Sequence, residues 1–152
     1  MKKSYFFLFL LLFSCESAEF YKKYEDIAQV KWQKTQPISF EVNMTDTVTP
    51  FDWIISLRHT SSIQNGDIKV LLEAHSPSGK LVSQEYLLAI RNRQTGDLLG
   101  SAMGDMCDTD NTVEKKFVFG EIGNYTFKIT PQTEDALPVL EVGFILRKDS
   151  IK

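Results

Sequence analysis

From Pro37 onward, apolar side chains fall on every second position. Ile38, Phe40, Val42 and Met44 alternate with Ser39, Glu41, Asn43 and Thr45, the pattern of a strand with one buried face. The same period runs through Ile68, Val70, Leu72 and Ala74, through Tyr125, Phe127 and Ile129, and through Leu140, Val142, Phe144 and Leu146. Trp53, Ile55 and Leu57 alternate with Ile54, Ser56 and Arg58, which predicts a more central strand covered partly on both faces. Ser76-Pro77-Ser78-Gly79 supplies turn chemistry and predicts a hairpin whose second arm carries Val82, Tyr86, Leu88 and Ile90. Gly120-Glu121-Ile122-Gly123 predicts a second hairpin, joining Phe117 and Phe119 to the Tyr125 strand. Residues 20–32 read as an extended segment or edge strand, and the glycine-rich stretch 91–112 as a loop with one short strand. Short strands, frequent turns and no long amphipathic helix together predict an all-β fold. The expected form is an antiparallel β-sandwich of jelly-roll type, with Phe40, Leu57, Leu72 and Phe127 in its core.

The beginning of the chain follows a different rule. Lys2 and Lys3 precede an unbroken apolar run from Tyr5 to Phe13. A membrane-spanning helix needs about 20 apolar residues, whereas the apolar part of an export signal needs about 7 to 15. The run therefore reads as a cleaved signal, and its end, Leu12-Phe13-Ser14-Cys15, has the form of a bacterial lipobox. The expected organisation is a signal peptide over 1–14, a tether over 15–22 lipidated at Cys15, and a β-sandwich domain over 23–152. Cleavage takes the formal net charge from −3 to −5, because Lys2 and Lys3 leave with the signal. Lys and Arg are dispersed and outnumbered by acidic residues, so no nucleic-acid partner is expected. With Cys15 acylated, Cys107 has no partner in the chain, and Asp105, Asp108 and Asp110 around it disfavour a reactive thiolate.

Candidate chemistry is sparse. Asp105, Asp108, Asp110 and Asn111 offer oxygen ligands, but a calcium loop starting at Asp108 would need glycine where Val113 stands and glutamate where Phe119 stands. His59 and His75 lack neighbours at zinc-ligand spacing, and Ser101 follows Gly100 directly, unlike the serine of a hydrolase elbow. Glu73 and Glu85 can face each other across the first hairpin, as any sandwich allows by chance. No metal, cofactor, small-molecule ligand or catalytic set is expected. Asp105, Asp108 and Asp110 mark the 96–112 segment as a partner-contact loop, because long irregular segments on rigid scaffolds often carry binding residues. Trp53 shares its parity with the core, while Trp32 is a candidate interface aromatic. Exposed Trp32 and Trp53 would instead point to a carbohydrate-binding surface lipoprotein, the alternative reading.

One ordered set of residues spans nearly the whole mature chain: Trp32, Phe40 with Val42, Asp46, Leu57-Arg58, Gly96 to Gly104, Gly123-Asn124-Tyr125-Thr126-Phe127 and Val142-Gly143. It resembles the gliding-motility lipoprotein GldH family of the Bacteroidota. The resemblance implies a non-catalytic envelope lipoprotein that works with motility and secretion proteins, anchored by lipid on Cys15, with the outer membrane favoured over the inner. Thr60-Ser61-Ser62-Ile63-Gln64 and Leu98-Leu99 depart from the family, which tends to place aromatics at these points.

Overall fold

The alternating runs become strands in the computed structural model, which describes residues 18–149. Nine strands follow in order: β1 Glu19–Asp26, β2 Ile38–Met44, β3 Phe51–Thr60, β4 Asp67–His75, β5 Leu81–Ala89, β6 Ser101–Met103, β7 Met106–Phe117, β8 Gly123–Pro131 and β9 Val139–Lys148. The one helical element among the described residues is the 3-10 turn Ala28–Val30. Two sheets form, ordered β1-β9-β3-β7-β6 and β2-β8-β4-β5, with every pairing antiparallel. Leaving out β6, the other eight strands stand first-eighth-third-sixth in one sheet and second-seventh-fourth-fifth in the other. That is the strand order of a jelly roll, and β6 is a short addition beyond β7.

The sheets close on an aromatic interior. Phe40, Leu57 and Phe127 are fully buried and Leu72 is 2% exposed, as their parity predicts. Phe127 lies 4.5 Å from Phe144 and 5.1 Å from Trp53 between ring centroids, so both sheets meet at this ring. The outward side of β3 is covered too, with Ile54 and Ser56 both buried. Gly143 explains part of that cover. A Cβ there would stand 2.5 Å from the Tyr24 ring, so only glycine lets β1 lay this tyrosine across β9.

Three expectations change. The predicted second hairpin is instead a corner between sheets, because β7 pairs with β3 while β8 pairs with β2 and β4. Phe119 is the reason: it turns into the core, where its ring approaches Phe51 and Trp53 from one sheet and Tyr125 and Phe127 from the other. The expected tether over 15–22 is shorter where the structure describes it, since β1 pairs with β9 from Glu19. Phe20 packs 5.1 Å from Phe51, giving this edge strand apolar contact from its second residue. Finally, the stretch 91–112 holds more strand than the expected short one, because the long strand β7 begins at Met106 beside β6. Two of its inward positions are polar but engaged. Asn111 accepts from the Ala89 N–H at 2.7 Å, and Thr109 donates to the Leu99 carbonyl at 3.0 Å.

The registers place β1's start, β9's end and the turns 45–50, 76–80 and 118–122 at one pole. The longer connections 27–37, 61–66 and 132–138 gather at the other, with the β6–β7 turn. Contacts across the loops agree: the Ser61 N–H donates to the Asp105 carbonyl and the Thr60 N–H to the Pro138 carbonyl at the far pole.

Candidate interaction surface

The outer face of the five-stranded sheet carries the candidate site. Arg58 points outward from β3, where register sets Glu141 of β9 on one side and Asp108 of β7 on the other. Its guanidinium donates from Nε to Asp108 Oδ1 at 2.8 Å, from Nη2 to Asp108 Oδ2 at 3.0 Å and from Nη1 to Glu141 Oε1 at 3.1 Å. Such paired donation fixes the planar fork in one orientation. The hydrogen bonds from Arg58 hold the Asp108 carboxyl below its ordinary range, and the same contacts raise the guanidinium further above its own. These groups remain partly exposed, so water screens the pair and its contribution to stability is small.

The structure separates the three aspartates of the expected contact loop. Asp108 is a strand residue committed to Arg58, and Asp110 follows it on the same outer face, opposite Ser56. Asp105 sits in the β6–β7 turn. The surface they belong to is a sheet face and an edge hairpin. On that hairpin Met103 and Met106 stand opposite each other, 70% and 38% exposed. They flank a depression of about 170 Å³, lined also by Arg58, Ser101 and Asp108. Sequence reasoning gave no site role to Arg58 or to either methionine. An outward arginine amid an apolar strand was the available signal, since it requires nearby carboxylates.

The remaining candidates resolve into structural roles. Trp32 is not an interface aromatic: it is fully buried, exchanges backbone hydrogen bonds with Leu137 and donates from Nε1 to the Gln36 carbonyl at 3.1 Å. Trp53 is 3% exposed. Neither indole offers a stacking face to a sugar, so the observation that would have favoured carbohydrate binding is lacking. Trp53 also borders a cavity of about 110 Å³ with Phe117, Phe119 and Tyr125, and its buried Nε1 has no acceptor. Glu73 and Glu85 do not face each other but pair with Lys128 and Lys69, each at 2.6 Å.

Cys107 is a free, buried thiol that donates to the Leu99 carbonyl at 3.0 Å. His59, fully buried beside it, meets the Thr60 carbonyl through Nδ1 and Thr109 Oγ1 through Nε2. Among the described residues, no three His, Cys, Asp or Glu side chains gather as a metal site. Cys15 lies outside the described residues.

Two sequence comparisons bear on identity. A family model described as "GldH lipoprotein" matches residues 19–145. A protein of Christiangramia forsetii described as "Gliding motility lipoprotein GldH homolog" is 27% identical over 127 residues, spanning 82% of this chain and 75% of that relative. Among solved structures, the Yersinia pseudotuberculosis-derived mitogen aligns with 8% identity and a TM-score of 0.34, over 87% of this chain and 89% of that one.

Proposed function

Because the chain belongs to the GldH lipoprotein family, we propose that it is a non-catalytic, lipid-anchored component of the gliding-motility and associated secretion machinery that acts by holding a protein partner. Cys15 carries the lipid, and the outer membrane is the favoured location. The observation that carries the contact surface is the exposed pair Met103 and Met106 beside the fixed Arg58 fork, on the free edge of a rigid sheet. Methionine and arginine are enriched where proteins meet, and a flexible thioether adapts to a partner's shape. Asp105 and Asp110 supply a charged rim suited to steering rather than to affinity.

The test uses the acylated protein and its Met103→Glu variant as baits for detergent-solubilised envelope, with immobilised glycans assayed alongside. Wild type is expected to capture a defined set of envelope proteins. Met103→Glu should retain its unfolding midpoint, since the side chain is largely solvated, yet capture at least about tenfold less, a loss of roughly 1.4 kcal/mol. Glycan binding by wild type without protein capture would overturn the proposal and support the carbohydrate reading.

A further inference from the structure

The pole opposite Met103 carries apolar side chains that the fold does not use. Val48 is 83% exposed, Ile122 67% and Val118 49%, all in the turns at the pole where β1 begins. These turns are fixed in shape. The Asp46 carboxylate accepts the N–H groups of Val48 and Thr49, each at 2.9 Å, and the Thr49 side chain, followed by these backbone bonds, lowers its pKa to about 2. Glu121, beside Ile122, accepts from the Ser78 N–H at 3.1 Å and the Ser78 hydroxyl at 2.8 Å, which joins two neighbouring turns. The third is tied to the carboxyl end of β9, where the Asp149 N–H donates to the Pro50 carbonyl at 2.9 Å. Turn tips are ordinarily polar, and a valine and an isoleucine displayed this way add nothing to the core.

Chain length says what lies against them. Ala18 is fixed to this pole, its carbonyl accepting the Lys148 N–H at 2.8 Å. Cys15 precedes it by three residues, which reach at most roughly 11 Å when fully extended. The far pole stands a strand's length beyond, roughly 30 Å for a β3 of ten residues. With lipid on Cys15, the Val48 and Ile122 turns are held within reach of the bilayer surface, and the span leaves no room for a partner domain between them. We infer that this pole seats on the phospholipid surface, with Val48, Val118 and Ile122 entering the interfacial layer and the strands standing away from the membrane.

This inference rests on lipidation at Cys15. The anchor supplies the local concentration, so side-chain insertion too weak to bind a free domain suffices to orient a tethered one. Lys80, Lys115 and Lys116 share this pole with Asp46, Glu121 and Asp149, and Lys116 pairs with Asp149 at 3.4 Å. With both signs present, the contact is apolar and does not depend on anionic lipid. Its consequence is orientation: the Met103 hairpin is presented on the side away from the bilayer.

The acylated full chain, reconstituted into phosphatidylcholine vesicles, provides the test. Single Val48→Cys, Ile122→Cys and Gln64→Cys variants take a fluorophore at the new thiol, while Cys107, 2% exposed, stays unlabelled. Gln64 reports on the far pole. Nitroxide-bearing phospholipid should quench probes at 48 and 122 several-fold more than at 64, equally with or without phosphatidylglycerol. Weak quenching at all three sites, on a chain that carries labelled fatty acid and stays with the vesicles, overturns the pole-on contact alone. Absence of fatty acid removes its premise and sinks the lipidation reading with it.

Discussion

Phe127→Ala is expected to destabilise the domain by about 3–5 kcal/mol, among the largest losses from any single truncation. The ring is fully buried and pairs in register with Phe40 on β2 and Ala74 on β4, while touching Trp53 and Phe144 of the other sheet. Removing it loses the transfer free energy of a phenyl group. It also leaves a cavity that cannot collapse, because both sheets are held apart by the remaining rings. Urea denaturation of the domain without its signal and lipid measures this directly. A loss below about 1 kcal/mol would mean that the ring does not join the sheets as described.

The second large effect concerns the anchor. Cys15→Ala should abolish incorporation of labelled fatty acid and move the protein from the membrane fraction to the soluble one. Among the described residues no helix is long and apolar enough to cross a membrane, and a few exposed apolar side chains such as Val48 and Ile122 offer too little area to hold the protein there alone. Undiminished membrane retention of the variant would contradict lipid anchoring. Density fractionation of the wild type tests the outer-membrane placement, which recovery solely in the inner membrane would refute.

Alternation carried most of the fold. In β2, β4 and β8 one face meets the core and the other is largely open to water, so parity alone identifies strand and buried side chain together, whereas β9 buries Gly143 and Ile145 on its outer face as well. It failed where the environment breaks that rule. β7 hides its strand because its inward positions include Thr109 and Asn111, which bond to the Leu99 carbonyl and to the Ala89 backbone instead of filling the core. The 118–122 turn has hairpin chemistry, yet Phe119 carries the chain across to the other sheet, a choice made by packing between segments distant in sequence. Trp32 is buried through its pairing with Leu137, more than 100 residues away. The proposed contact surface was legible only as three aspartates. That Arg58 claims one of them, and that Met103 and Met106 stand beside it, depends on strand order, which no local pattern encodes.

The most direct test of a protein-holding role is site-specific photocrosslinking in living cells, with a photoreactive residue at Met103 in one strain and at Val48 in another, at native expression. The account predicts adducts between the Met103 site and a small set of envelope proteins, and none of those adducts at Val48. Protein adducts confined to Val48, with the Met103 site unreactive on a folded and acylated chain, would contradict it.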